Sequence, residues 1–297
     1  MSDALLDVIS HGVTVYDLGR PMFKGMPQSS NHPQFSHSLP RRHGDMVRAD
    51  GGSAANDLIV TGTHVGTHID ALAHVSHDGK LFDGSDAQRA AVGGRFMELG
   101  VHTISPMVRR GLLLDVASTL GLDVCPPGYE ITREDLDATL DRQGVTTAPG
   151  DVVLVRSGWG RYFDHGSEAY AGTASGVPGV AEEGARWLVE HGAFAVGADT
   201  IAFERLAPGG GHALLPAHRV LLVESGVYII EAMSLDALAA ARIHEFTFIL
   251  TPLNLVGATG SPVRPLAVVP TAAVPDAGRP DAGRSDAAAS DAAVPHA

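Results

Sequence analysis

Residues 63–74 read Thr-His-Val-Gly-Thr-His-Ile-Asp-Ala-Leu-Ala-His, and this run dictates how the chain must bend. Four side chains able to bind a metal, His64, His68, Asp70 and His74, fall within it. Imidazole and carboxylate are the ligands that zinc and related divalent ions take. All four sit at even positions, so a flat strand would place them on one face. At roughly 3.3 Å per residue, however, His64 and His74 would then stand about 33 Å apart, too far to share an ion. A continuous helix would align His64 with His68 and turn Asp70 and His74 away. The run therefore predicts a strand, a tight turn at Val65-Gly66-Thr67, and a second short segment carrying His68 and Asp70. Gly66 supplies the freedom for positive φ. His74 is expected at the edge of the pocket. A lone histidine in an apolar context is ordinarily structural, but three histidines and an aspartate around a glycine turn favour a metal. His77 and His43 are as consistent with a surface or substrate-side role as with ligation.

Outward from this run the texture is mixed α/β. Leu58-Ile-Val-Thr-Gly62 reads as a strand entering the histidine cluster. Arg110–Val116, Asp151–Arg156 and Phe194–Gly197 are short apolar runs bounded by polar or turn residues, as buried strands are. Thr132–Leu140 reads as a helix with Thr132 as N-cap and Asp135 three positions on. Val180–His191 reads as a second helix, ended by Gly192. Val220–Val223, Val227–Glu231 and Phe246–Leu250 predict a strand-rich C-terminal part. The expected fold class is α/β: one domain, residues 1–272, with a mixed β-sheet or small barrel flanked by helices. Residues 273–297 carry a degenerate Asp-Ala-Gly-Arg-Pro repeat with few large apolar groups. They read as a disordered tail, either simply solvated or binding a partner.

The whole chain has 297 residues, 44% hydrophobic and 19% charged, so a substantial core is expected. A net charge of −13 supplies no basic stripe for phosphates and argues against nucleic-acid binding. The single cysteine, Cys125, excludes an internal disulfide and a thiolate-rich zinc site. The N-terminus has acids where a signal peptide would be basic, and no apolar run is long enough to span a bilayer. The expectation is a cytoplasmic protein without membrane contact.

The pattern His64-x-Gly-Thr-His68-x-Asp70-x-x-x-His74 resembles the signature of the metal-dependent cyclase family, which includes bacterial kynurenine formamidases and isatin hydrolases. Ala71-Leu72-Ala73 stands where that pattern usually has a proline. Neither proline nor these residues bind a metal through their side chains. Tyr16-Asp17-Leu18 with Gly25-Met26-Pro27 is similar to the family's N-terminal opening, and Leu154–Trp159, Val196–Thr200, Leu215–His218 and Thr259–Arg264 are similar to its later landmarks in the same order. The resemblance implies a swivelling β/β/α architecture and assembly as homodimers or homotetramers. It implies that His64, His68 and Asp70 are metal ligands, His74 the general acid/base, His218 a further metal ligand, and Glu231 the carboxylate of a second metal, with Asp70 bridging. The cofactor implied is divalent zinc or manganese, as one or two ions. Read on its own, Glu231 ends an apolar run, where a carboxylate is either bound to a metal or simply solvent-facing. Asp199 reads as a structural carboxylate, one orienting a histidine, or a capped loop residue.

These readings predict hydrolysis of a C–N bond in a small aryl formamide or cyclic amide such as a lactam. A metal-activated water would attack the carbonyl, and His74 would protonate the leaving nitrogen. A cyclase or dehydratase on the same fold, and a non-catalytic metal-binding protein, are the alternatives. Phe23, Phe35, Trp159 and Phe203 are candidate walls for a flat ring, with core positions as the alternative for each. The loop holding Met26, Gln28, Asn31 and His32 has the texture of a specificity loop. His43, with Arg41 or Arg42, is a candidate partner for a substrate carboxylate.

Overall fold

Leu113 and Leu114 point into different cores, and the same alternation repeats along three more strands. Leu113, Val152, Leu154, Ala195 and Ile230 enter one apolar cluster. Their neighbours Leu114, Val153, Val155, Val196 and Ile229 enter another. Strands buried on both faces are what continuous Val/Ile/Leu runs build, and such strands are typically parallel. The structure, a computed structural model, describes residues 4–274, so most of the expected tail at 273–297 lies outside the described residues.

Eleven strands carry the argument. In chain order they are β1 (Val13–Asp17), β2 (Ser36–Arg41), β3 (Asn56–Val60), β4 (His68–Asp70), β5 (Met107–Asp115) and β6 (Val152–Arg156), followed by β7 (Ala195–Ala198), β8 (Tyr228–Glu231), β9 (Glu245–Leu250), β10 (Gly260–Pro262) and β11 (Leu266–Pro270). Nine of them form one curled mixed sheet in the order β1-β11-β9-β5-β6-β7-β8-β4-β10. The central four, β5 to β8, are parallel. The flanking pairs are antiparallel. Helices α1 (Arg133–Gln143) and α2 (Glu182–Glu190) cover the second core with Leu136, Ala185, Trp187 and Leu188. Helix α3 (Asp236–Ala240) closes the first core with Leu238. This is the expected single α/β domain with a large sheet flanked by helices.

The cap of α1 is a full capping box. Thr132 Oγ1 accepts the Asp135 N–H at 3.3 Å, and Asp135 Oδ2 accepts the Thr132 N–H at 2.9 Å. The strand expected at Val220–Val223 is instead helical. Pro216–His218 opens a helix that continues through Arg219–Glu224 with a wider, π-type winding. Four apolar residues fit a buried helix turn as well as a buried strand, and Pro216 at the first turn decides for the helix.

Strands β2 and β3 stay outside the main sheet and pair only with each other as an antiparallel arm. The expected strand at Leu58–Gly62 is this β3, and Leu58, Ile59 and Val60 on it are exposed.

Candidate metal centre

The centre forms at the carboxyl ends of the parallel strands, where ligands collect in open α/β sheets. Strand β4 is only three residues long and lies between β8 and β10. Its register sets His68 opposite Glu231 and Pro262, and Asp70 opposite Ile229 and Gly260. The chain reaches β4 through the expected turn, with Gly66 at φ +70°. Gly260 is required for a different reason. A Cβ there would stand 2.5 Å from His64 Cε1 and 2.8 Å from the Ile69 carbonyl. The missing side chain is the space His64 occupies.

Two groups of ligand atoms share Asp70. His64, Asp70 and His74 form one, and His68, Asp70 and Glu231 the other, each with its atoms within 4.8 Å. His64 Nδ1 lies 2.7 Å from Asp70 Oδ1, and its Nε2 lies 2.9 Å from Thr259 Oγ1. His68 Nε2 lies 3.6 Å from Asp70 Oδ1 and 3.3 Å from Glu231 Oε2. His218 Nε2 lies 3.7 Å from Asp70 Oδ2 and 3.2 Å from Glu231 Oε1. His64, His68, Asp70, His218 and Glu231 are buried.

The far nitrogen of each inner imidazole is spoken for. His68 Nδ1 donates to the Gly66 carbonyl at 2.8 Å. His218 Nδ1 donates to Glu204 Oε1 at 2.7 Å. Both Nε2 atoms therefore face the carboxylates Asp70 and Glu231. Metal-binding histidines are characteristically oriented this way, by a carbonyl or carboxylate behind the ring. Asp70 Oδ2 is buried and has no hydrogen-bond partner. An unpaired buried carboxylate oxygen is costly unless a cation meets it. The donor set and the orphaned oxygen thus fit a divalent ion.

Electrostatics agree. Burial opposes charge on His68, but Glu231 and Asp70, with the Gly66 carbonyl, outweigh it and push the imidazole up to about 9. Burial likewise opposes charge on His218, yet Glu204 and Glu231 raise it well above its ordinary value. Burial would raise Asp70, but His74 and His64 hold it down to about 2. Glu231 is held well below its ordinary value by His218 and His68 despite its burial. Without metal, the protonated imidazoles of His68 and His218 balance these carboxylates; a divalent cation can take the place of their protons.

His74 stacks on His64 with ring centroids 3.8 Å apart and lines the cavity over the centre. Burial, the dominant cause, lowers it to about 4. It is therefore a neutral imidazole able to accept a proton.

The expected aromatic walls lie elsewhere. Phe23 is exposed, its ring meeting Phe163 edge-on. Phe35 and Trp159 are buried in a third apolar cluster behind the wall, with Trp159 Nε1 donating to the Tyr170 carbonyl at 2.8 Å. Phe203 is wholly buried in the second core, and its N–H donates to Glu231 Oε1 at 2.9 Å. His43 is exposed in the β2–β3 connection, with Nδ1 3.1 Å from Ser53 Oγ. None of these five lines the cavity; its apolar wall is made by Val75, Tyr170, Ile201 and Leu215. For Phe35, Trp159 and Phe203 the physical reason is that large aromatics offer most area to burial, so they fill the layers behind the site. The expected specificity loop does reach the cavity, through Gln28, Asn31 and His32. Among the described residues Asp199 orients no histidine: it accepts the Ser157 and Gly160 N–H groups at 2.9 and 3.2 Å.

Two functional candidates had escaped the sequence reading. Glu204 is buried and accepts the Ala217 N–H, the His218 N–H and the His218 ring. It sits outside every periodic segment, so no sequence signal marks it. His212 lines the cavity after Gly209-Gly210-Gly211. A histidine following a glycine run before Leu215–His218 was a usable signal.

A family model described as a putative cyclase matches residues 16–205. The isatin hydrolase of Roseibium aggregatum is 25% identical over 271 residues, covering 88% of this chain and 94% of that protein. The kynurenine formamidase of Geobacillus thermodenitrificans is 26% identical over 218 residues, covering 73% and 81%. Among solved structures, the crystal structure of a novel cyclase superposes with a TM-score of 0.77 at 26% identity, over 90% of this chain and 93% of that one.

Proposed function

This chain belongs to the putative cyclase family, and from that premise we propose that it is a metal-dependent hydrolase of a C–N bond in a small aryl formamide or cyclic amide. The observation that carries the reading is Asp70: a buried carboxylate with one orphaned oxygen, faced by imidazole nitrogens whose opposite nitrogens are already bonded. The similarity to an isatin hydrolase and a kynurenine formamidase supports the amide class.

In this reading His64, His68, Asp70, His218 and Glu231 hold one or two divalent ions, zinc or manganese, with Asp70 shared. The ion supplies the Lewis acidity that makes water nucleophilic near neutral pH and polarises a carbonyl. His74 does the proton work. As a neutral imidazole it takes the proton from the attacking water, then gives it to the departing nitrogen as the C–N bond breaks. Glu204 keeps His218 in the tautomer that leaves Nε2 free. Thr67 ties the two ligand-bearing segments together: its hydroxyl donates to the Ala232 carbonyl at 2.7 Å and accepts the Arg20 N–H at 2.9 Å.

The test is direct. The purified protein is assayed on isatin and N-formylkynurenine after chelation and after re-addition of zinc or manganese. Turnover that vanishes with chelator and returns with metal supports the reading; metal-loaded protein inert on both substrates defeats it. His74→Ala should lose turnover and keep its metal. Loss of both together would make His74 a ligand.

The hydrolase domain in this reading is residues 1–272, and its setting is the cytoplasm, supported by the lone buried thiol of Cys125. Among the described residues no helix is long and apolar enough to cross a membrane. Self-association as a homodimer or homotetramer is supported by the exposed apolar residues Leu39, Leu58, Ile59 and Val60 on the arm. Sedimentation of the wild type against Ile59→Lys tests it: a monomeric wild type would rule self-association out.

A further inference from the structure

The imidazoles of His64, His68 and His218 belong to one ligand set, but they are held from behind in two different ways. His68 Nδ1 faces the Gly66 carbonyl at 2.8 Å, and His218 Nδ1 faces Glu204 Oε1 at 2.7 Å. Carbonyl and ionised carboxylate oxygens only accept, so each of these rings carries its N–H on Nδ1 and offers Nε2 to the centre. His64 is turned the other way round. Its Nδ1 lies 2.7 Å from Asp70 Oδ1, and its Nε2 lies 2.9 Å from Thr259 Oγ1. A hydroxyl both donates and accepts, so it does not dictate which nitrogen of His64 carries the proton.

Thr259 is fixed in place by backbone. Its carbonyl accepts the Ala71 N–H at 2.9 Å, the Ala258 carbonyl before it accepts the Val101 N–H at 2.8 Å, and Gly260 of β10 pairs with Asp70 of β4. Among the described residues its hydroxyl bonds only to His64. Gly260 leaves the room in which that ring lies, since a Cβ there would stand 2.9 Å from His64 Nδ1. Thr259 and Gly260, adjacent in the chain, therefore act on the same imidazole: the glycine admits it and the threonine holds its far edge. Turned over about its Cβ–Cγ bond, the ring would set carbons against both Asp70 and Thr259 and lose both hydrogen bonds.

Given the metal centre of the proposed hydrolase, we propose that Thr259 is the positioning residue of His64, holding the ring through a hydrogen bond that reverses direction when metal binds. In the chelated protein a neutral His64 ring donates from Nδ1 to Asp70, so Nε2 accepts and the Thr259 hydroxyl donates. Once Nδ1 meets an ion, the ring carries its one N–H on Nε2, and the same hydroxyl turns to accept it. The ring stays neutral and in place; only the N–H moves from Nδ1 to Nε2. His64 thus binds through Nδ1, whereas His68 and His218 bind through Nε2. Thr259 touches neither ion nor substrate.

The test reads isotope-labelled histidine nitrogens by magnetic resonance, in the chelated and the zinc-loaded protein. Couplings between ring nitrogens and ring protons report which nitrogen carries the N–H, and the His64 signals are assigned by their absence from His64→Gln. His64 should carry its N–H on Nδ1 with chelator and on Nε2 with zinc, while His68 and His218 keep theirs on Nδ1 with zinc bound. Thr259→Val keeps the shape and removes the hydrogen bond, so zinc affinity, titrated against a competing chelator, should fall roughly 10-fold. Thr259→Ser keeps the hydroxyl and should bind zinc as the wild type does. Zinc on His64 Nε2, or Thr259→Val binding zinc as tightly as the wild type, overturns the proposal. Thr259→Ser as weak as Thr259→Val would make the threonine a packing residue and overturn it equally. None of these measurements uses a substrate. Zinc-loaded protein that shows the expected His64 signals but leaves isatin and N-formylkynurenine intact would overturn the hydrolase reading alone, and a wild type that takes up no zinc would overturn both.

Discussion

Asp70 is the residue on which both ligand groups close, because its two oxygens face different histidines. Asp70→Ala should therefore empty the whole centre. Metal analysis should find almost none bound, and turnover should fall by about 10³ or more, since removal of the ion removes the activated water. Glu204 acts one step back. Glu204→Gln keeps hydrogen-bonding capacity but removes the charge behind His218 Nδ1, and Glu204→Ala removes both. Metal affinity should drop roughly 10- to 100-fold, more for Ala than for Gln, when titrated with a competing chelator. Residue-scale charge also sets a pH signature for the metal-free protein. His68 is raised in the folded state, so its stabilisation is full below the unfolded value near 6.5 and is lost as pH rises through about 9. His218 is raised too and acts in the same direction. His74, lowered to about 4, acts oppositely: the unfolded chain takes up a proton first, so stability falls as pH drops from 6.5 toward 4. Thermal melts of the chelated protein should peak near pH 6.5. Bound metal should flatten the alkaline limb, because the ion replaces those protons.

At the scale of the element, the centre depends on β4 being short, bent and closely flanked. Gly260→Ala places a methyl against the His64 ring and the Ile69 carbonyl, and backbone cannot yield cheaply. The expected cost is about 1–3 kcal/mol in denaturant unfolding, with weakened metal binding because His64 is displaced. The nearest atoms to a Cβ at Gly66 are in the Met22 and Met26 side chains at 3.4–3.6 Å, ordinary contact distances, so the penalty of Gly66→Ala is conformational, from φ +70°. Roughly 1 kcal/mol is expected, with the ligand set largely preserved. The ordering of the two variants in metal affinity, Gly260→Ala the worse, checks which role each glycine has. Elements also show where the histidine run was legible. The turn at Val65–Thr67 and the segment bearing His68 and Asp70 follow from spacing alone, because one ion cannot be reached along a straight strand. The helix at Arg219–Glu224 was not legible, since a four-residue apolar run has no period to read. Trp159 and Phe203 have the residue type of a ring-binding wall, but the folded layers bury them away from the cavity.

Across the whole molecule, the ligands come from the β4 segment, from the helix after β7 and from the end of β8, so metal binding and folding are one equilibrium. An ion at 100 times its dissociation constant adds about 2.7 kcal/mol. For a domain of this size that should raise the melting temperature by roughly 5–10 °C, reversed by chelator. A melt that ignores zinc and manganese would contradict the centre. What the sequence settled by itself was local. The even spacing of imidazoles and carboxylate about Gly66 named a ligand segment, and the short apolar runs named buried strands. The tertiary structure alone decided which distant groups complete the site. The pairing of β4 with β8 brings Glu231 against His68 across more than 160 residues of chain. Glu204 lies against His218, and His32 and His212, from two remote loops, line one cavity. The reason is physical: spacing along a chain constrains only what a turn or two can bring together. Register between remote strands is fixed by how the two cores pack, and no short stretch of sequence contains that information.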